Sequence, residues 1–444
     1  MDLLRWMLDN HINVSKKIVI DNSPLGGTGV FANSPIEVDE ILLQVPKSSI
    51  LSPKSCGISN LLDKEDFDPM QALTIAFLFE KNAKQSPWRP FIDWILDAPL
   101  PDVPRLWPEN LQSLLKHCDI AFMDGLDKEI LSDNYMAANH FFSQLGLAVG
   151  REEYTDAILR VSSRAFEVDN FHLLALVPGA CLFNHTDNNT VRFETEGLVC
   201  DSCGSLSCGC IGSDQSENEE EQDWSDTELD DDNASLVDDA QSVFSRNSAD
   251  MENVCEIRVI AAVENGVELF NTYGKDGNSV LLGRYGFAIP KNRDEKVDLT
   301  RDFFQYAKRN DLKPRYTYWK YWKKNLDQFV GGPEAGADPQ VLLFADIDGE
   351  LSDAATFLAT ILSLNPKQYE KFKKTGAYKI KSDEAVRKVL KQILTTRLEN
   401  YRDENIQSAE YFAKAESASD PREKAAFELV GTEKHVIEQA LASL

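Results

Sequence analysis

Apolar residues recur along this chain at two different spacings, and the changes between them divide it. Over the first sixty residues the runs are short. Leu3, Leu4, Met7 and Leu8 share one side of a helix predicted at 3–10. Residues 17–20 and 41–45 read as strands, the second stopped by Pro46. From residue 61 the spacing lengthens. Residues 69–83 predict a helix with Leu73, Ala76, Phe77 and Phe79 on a broad apolar face. Residues 152–166 predict another, with Tyr154, Ala157, Ile158, Val161 and Ala165 at helical spacing. Between these two helices, 88–107 is rich in proline and tryptophan and reads as ordered but irregular, and 111–149 alternates helical pieces with turns. Short runs then return, with strands predicted at 192–194, 254–262 and 267–270. Beyond Pro290 the pattern is helical again. Val386, Val389, Leu390, Ile393 and Leu394 form one stripe over 384–401, and Asp420-Pro421 opens a last helix by the cap-plus-proline rule.

These elements predict an α+β fold. Its β-rich domain is in two parts, 1–60 and 166–297, split by a helical insertion at 61–165. An all-α C-terminal domain follows at 298–444. With 444 residues, 43% of them hydrophobic, the chain can bury a large core. No internal repeat is present. No apolar run approaches the ~20 residues that a membrane helix needs. Residues 1–10 carry Arg5 and Asp9 and lack the pattern of a leader peptide. The expected compartment is the cytoplasm, with the nucleus second, where cysteines stay reduced.

Charge changes the picture in one place. The formal net charge of −27 argues against general phosphate-backbone binding, so no direct nucleic-acid contact is expected. Residues 193–245 hold sixteen acids and no Lys or Arg, and taking those away leaves −11. The imbalance therefore describes an insert, expected at 197–250, more than the fold. Thirteen of the acids lie in 213–239, a tract without apolar periodicity that is expected to be disordered. Ser225 and Thr227 within it are weak candidates for an acid-directed kinase.

The same insert contains Cys200, Cys203, Cys208 and Cys210, half of the chain's eight cysteines. CxxC followed by CxC suits one Zn²⁺ in a tetrahedron of four thiolates. Against this, the ligand loops are short and no hydrophobic element in the sequence supports them. A zinc site and a reduced, solvated loop both stand.

Candidate chemistry gathers elsewhere. In 23–32, Gly26, Gly27 and Gly29 permit positive φ or close backbone approach, although a plain turn between strands uses glycine the same way. GxGxxG is absent and a strand pattern follows, so a dinucleotide fold is excluded. Asn184-His185 ends an apolar run, as either a site pair or an ordinary strand end with a buried histidine. Tyr273, and Tyr285 with Phe287, lie close in sequence beside glycines, which suggests a site of phenol hydroxyls and backbone groups. The aromatics and cations of 313–324 suit an inward-packed helix better than a nucleic-acid surface.

Placed in order, LGGTGVFA, ILLQVP, SRAF (163–166), the run ending in Asn184-His185, VELFNTYG and LLGRYGF resemble the SET-domain protein-lysine methyltransferases of the Rubisco large-subunit methyltransferase type, a group that includes fungal enzymes acting on ribosomal proteins and elongation factor. That group splits its SET domain with helices and appends a helical substrate-binding domain. The resemblance implies S-adenosylmethionine as cofactor. Gly27, Thr28 and Gly29 would lie along it, Arg164 would pair with its carboxylate, and Asn184, His185 and Phe287 would hold its remainder. Tyr273 takes the position of the active-site tyrosine, and Tyr285 would line the lysine channel. Cys181 departs from the family, which often has an acid three positions before the Asn-His pair. The implied partner is a protein presenting a lysine, a ribosomal protein or translation factor before a histone, with no membrane involved. The competing reading is a non-catalytic SET scaffold that holds basic partners through its acidic insert.

Overall fold

The structure, a computed structural model, describes residues 3–208, 210, 253–323, 343–375, 383–401 and 406–444. The acidic tract at 213–239, with Ser225 and Thr227, lies outside the described residues. Among the described residues, eight strands build the β-rich part: β1 (Asn13–Val14), β2 (Ile18–Asn22), β3 (Thr28–Ala32), β4 (Ile41–Pro46), β5 (Ala165–Glu167), β6 (Leu174–Leu176), β7 (Val191–Thr195) and β8 (Val254–Val259). A four-stranded antiparallel sheet in the order β1-β4-β8-β7 joins strands from both sides of the helical insertion, with Gln44 opposite Glu256 and Phe193 opposite Ile257. Period-two alternation sends Cys255, Ile257 and Val259 into the core. On the other face Glu256 and Arg258 are also buried, and they neutralise one another at 2.6 Å. β2-β3 and β5-β6 are separate hairpins.

The helices of the insertion pack onto these sheets and share their core. Helix Pro69–Asn82 starts cleanly because the Asp68 carboxylate accepts from the N–H groups of Met70 and Gln71 and proline occupies the first turn. Leu73, Ile75, Ala76, Phe77 and Leu78 are all sealed from solvent, so this helix is a core element rather than an amphipathic cover. Phe142 and Tyr154, from helices Glu129–Gln144 and Arg151–Ser162, belong to the same cluster.

The described residues of the C-terminal region are mostly helical, with a two-stranded ribbon of β9 (Lys296–Asp298) and β10 (Phe344–Asp346). Its own core includes Phe303, Leu358, Phe372, Leu394 and Ile437. Helix Pro421–Ser443, capped by Asp420, runs through it and buries Glu433 and Lys434 as well as apolar groups. A further cluster joins Trp107, Leu115 and Ile120 of the insertion to Leu282, Tyr401 and Leu429. A charged knot reinforces this contact. Arg397 lies 2.6 Å from Asp119, 3.2 Å from Glu433 and 3.6 Å from Asp302, all four side chains buried. Tyr401 and Ser279 donate to the same Glu433. Insertion, β-rich domain and C-terminal helices are thus tied at one point.

The structure adds local detail around the 267–290 stretch. Residues 267–270 are extended and bond to β3, through Leu269 N–H to Val30 O and Ala32 N–H to Val267 O, but they form an isolated bridge rather than a strand. The apolar run that follows is a helix, Asn278–Tyr285, stopped by Gly286 in the left-handed conformation.

Candidate active site

The β2-β3 turn supplies the first wall. Ser23 N–H donates to Gly27 O, Gly26 N–H donates to Ser23 O, and Gly26 and Gly27 take φ of 99° and 70°. Nothing lies within 4 Å of where their side chains would begin, so the turn faces open space and glycine is required there by the backbone angle. Gly29 is glycine for a different reason, since a Cβ there collides with the Glu268 carboxylate. Glu268 accepts from Ser23 Oγ at 3.0 Å and from Asn184 Nδ2 at 2.8 Å, and Asn184 also donates to Thr28 O at 3.2 Å. One buried carboxylate therefore fixes the glycine turn to the Asn-His segment. Glu268 was not singled out from the sequence, and within VELF it reads as the polar position of an alternating strand.

The 183–187 and 270–273 segments cross beside this turn. Asn271 N–H donates to Asn184 O at 2.8 Å, and Thr186 N–H returns a bond to Asn271 O. The crossing brings the His185 ring under the Tyr273 backbone, where Nδ1 accepts the Tyr273 N–H at 3.0 Å. Burial pushes the His185 pKa down to about 4, and Asp187 only partly opposes this. The ring is neutral at physiological pH, as its acceptor role requires. Tyr273 Oη donates to Phe183 O at 3.3 Å. Burial, then the neighbouring Tyr285, pushes the Tyr273 hydroxyl well above the usual phenol range. Helix Asn278–Tyr285 delivers Tyr285 to lie 4.6 Å from Tyr273, ring centre to ring centre, and Phe287 lies 5.9 Å from His185. Gly286 allows the close approach of the chain here, since a Cβ at Gly286 would meet the Asp102 backbone nitrogen at 2.8 Å.

These groups line one cleft of about 1060 Å³. Leu25 to Thr28, Arg164, Cys181, Asn184, His185, Tyr273, Tyr285 and Phe287 all face it. Of the cofactor-binding and catalytic residues proposed from sequence, Gly29 alone does not line the cleft. The opposite rim was not foreseen. It comes from the insertion, at Trp94 and 97–102, and from the last helix, at Pro421, Lys424, Ala425 and Glu428. Burial pushes the Glu428 carboxyl up to about 7, with Lys424 pulling the other way. Burial likewise raises the Cys181 thiol to about 11, so this position of the cleft is uncharged.

Arg164 contributes a positive charge to the lining of the cleft. It is half-buried, and its guanidinium donates to Arg160 O and Ser163 Oγ. Among the described residues no carboxylate is recorded as its ion-pair partner, and burial lowers its pKa. A cation held in this way favours a carboxylate. The four cysteines of the insert lie apart from this cleft, around a turn after β7.

No protein-family profile matches the chain. Ribosomal lysine N-methyltransferase 3 of Saccharomyces cerevisiae is 30% identical over 354 residues, which is 68% of this chain and 64% of that protein. N-lysine methyltransferase SETD6 of Rattus norvegicus is 26% identical over 314 residues, covering 67% of this chain and 56% of that protein. The chain therefore spans less than two thirds of these relatives' length. Among solved structures, the SET domain of LSMT bound to lysine and AdoHcy superposes with a TM-score of 0.63 at 15% identity, covering 99% of this chain and 89% of that one. Rubisco LSMT bound to AdoMet gives 0.61 at 14% identity, with 99% and 90% coverage. The glycine turn, the Asn-His crossing and the tyrosine pair thus sit in a fold shared with these structures, and the chain belongs to the SET-domain family in its split form, the Rubisco large-subunit methyltransferase type.

Proposed function

We propose that this protein is an S-adenosylmethionine-dependent protein-lysine N-methyltransferase, acting in the cytoplasm on a ribosomal protein or translation factor. The observation that carries the reading is one cleft in which a neutral tyrosine pair meets a glycine turn and a cation that has no carboxylate partner among the described residues. The cofactor fits the residues present. Arg164 suits its carboxylate, the turn of Gly27 and Thr28 offers backbone, and Asn184, His185 and Phe287 supply polar and aromatic surface. When bound, it would supply a sulfonium methyl group, to whose carbon a neutral amine can bond in line as the sulfur leaves as a thioether.

The chain's own part is alignment and desolvation. Tyr273 is fixed by two bonds, its N–H to His185 and its hydroxyl to Phe183 O, so the phenol ring is held before substrate arrives. The paired rings of Tyr273 and Tyr285 exclude water and disfavour a charged ammonium, which lowers the pKa of an entering lysine. None of the inner groups is a proton acceptor of useful strength. His185 is held neutral with Nδ1 occupied, and burial raises both tyrosine hydroxyls and the Cys181 thiol. The lysine therefore sheds its proton toward the solvent-open rim, where Asp97, Asp102 and Glu428 attract the cation first.

The names of the yeast and rat relatives support lysine as the acceptor, and the yeast name supports a ribosomal protein. The test is transfer of labelled methyl to ribosomes from cells lacking the gene. Wild-type protein should label one or a few bands, and Tyr273→Phe should lower the rate at least ~100-fold while cofactor binding persists. An unlabelled ribosomal fraction would move the substrate elsewhere. Absence of both labelling in whole extract and cofactor binding by calorimetry would favour a binding scaffold.

A further inference from the structure

The cysteine turn of the insert is built and anchored in a way that the methyl-transfer site does not use. Cys200, Cys203, Cys208 and Cys210 place their four sulfur atoms within 4.8 Å of one another. Cys203 and Cys210 sulfurs are 3.7 Å apart. A tetrahedral Zn²⁺ with Zn–S bonds of about 2.3 Å separates its sulfurs by about 3.8 Å, so the cluster already has close to the size of a filled site. The backbone is pre-shaped. Gly204 N–H and Cys203 N–H both donate to Cys200 O, at 2.7 and 3.3 Å, and Gly204 turns the chain at φ 69°. Cys200 N–H donates to Ser205 O at 3.0 Å, closing the turn.

The turn is also tied to the SET domain. Asn170 brackets Val199, accepting its N–H at 2.8 Å and donating to its carbonyl at 2.9 Å, and it donates to the Asp201 carboxylate. Asn253, the first described residue after the insert, donates to Gly204 O at 2.9 Å. Gly204 packs so tightly on Phe171 that a Cβ would come within 2.5 Å of its ring. Phe171 is thus the hydrophobic support that the sequence did not reveal. Below it, Asp169 is locked by buried Lys47 at 2.7 Å and by His172 at 3.0 Å, while Lys47 also reaches Glu196 O. A metal at the cysteines would therefore hold β7, the 169–172 loop and Asn253 to one another.

We infer that Cys200, Cys203, Cys208 and Cys210 bind one structural Zn²⁺ that clasps the two ends of the insert against the 169–172 loop. All four ligands are soft thiols, which select zinc over the hard cations. On binding, the four thiols become thiolates and their protons go to solvent. The site is closed, with four protein ligands and no place for substrate, so its role is structural rather than catalytic.

Elemental analysis of the full-length protein, purified under reducing conditions without chelator, tests this directly. The expected result is close to one zinc per chain, falling to below about one tenth in Cys203→Ser and Cys210→Ser. Both side chains are exposed, so neither change opens the core. Replacement by Co²⁺ should give the thiolate-to-metal absorption of a four-sulfur site, and this should vanish in both variants. Zinc well below stoichiometry in the wild type, iron in its place, undiminished zinc in both variants, or disulfides joining these cysteines in freshly trapped protein would each overturn the inference.

Discussion

Glu268 is a buried carboxylate whose described partners are a hydroxyl and an amide. Changing it tests whether the glycine turn is held from behind. In Glu268→Ala, Ser23 Oγ–H and Asn184 Nδ2–H lose their shared acceptor. Each hydrogen bond to a charged group is worth about 1.5–3 kcal/mol, and Asn184 keeps its bond to Thr28 O. Allowing for the desolvation that the carboxylate no longer suffers, we expect a net loss of about 2–4 kcal/mol. Glu268→Gln is the more informative change. Its carbonyl can still accept from Ser23, but its NH₂ then opposes the Asn184 NH₂. Turning the Asn184 amide over would set its carbonyl against Thr28 O. The glutamine therefore costs about 1–2 kcal/mol despite its matching shape. Some of that energy orders the turn that receives the cofactor, so the dissociation constant for S-adenosylmethionine should rise about tenfold in Glu268→Gln and more in Glu268→Ala. Calorimetric titration gives the affinity, and denaturant unfolding gives the stability. A folded Glu268→Ala protein with wild-type cofactor affinity would refute the idea that this carboxylate positions the turn.

Three further outcomes are expected. His185 has a folded-state pKa of about 4 against 6.5 when free, so between those values the folded protein binds fewer protons than the unfolded chain. Its contribution is complete above pH 6.5 and is lost as pH falls to about 4, an effect on the order of 3 kcal/mol. The stability difference between wild type and His185→Asn should shrink across that window, and parallel curves would contradict the assignment of a buried neutral ring. Arg397→Leu strands Asp119, Glu433 and Asp302 together in the interior and should cost about 3–5 kcal/mol in denaturant unfolding. Arg397→Lys should recover only part of that, because an ammonium lacks the fork that reaches several carboxylates. Finally, the Glu428 carboxyl, raised to about 7, gains charge as pH rises through neutrality. KM for a basic substrate peptide should therefore fall more steeply between pH 6 and 8 in the wild type than in Glu428→Gln, while an identical slope would remove Glu428 from the rim.

How much of this was legible in the sequence depended on whether a group acts locally or across the chain. Asp68 before Pro69 and Asp420 before Pro421 carry their cap signals within three residues, and both helices begin there. Tyr273, His185 and the glycine turn were visible because their residue types and order are unusual together. Glu268 was not visible, because its partners lie 245 and 84 residues away, at Ser23 and Asn184. Helix Asn278–Tyr285 is too short to show a period, although Gly286 after Tyr285 is a helix-stop signal that would have located its end. The rim at 97–102 gave only a proline-rich irregularity. Helix Pro421–Ser443 hides its role for another reason. It is enclosed on most sides, so Glu433 and Lys434 sit inside it beside Leu429 and Ile437, and no simple apolar stripe emerges. Phe171 under the cysteine turn belongs to the same class of long-range support.

The central claim is methyl transfer to a protein lysine from the cleft of Tyr273 and Tyr285. Its most direct test is mass spectrometry of lysine methylation in cells with the gene, without it, and with it restored as wild type or Tyr273→Phe. The account predicts that one or a few lysines on translation-apparatus proteins lose methylation without the gene, regain it with wild type, and stay unmodified with Tyr273→Phe. A lysine methylation pattern indistinguishable across all four would contradict it.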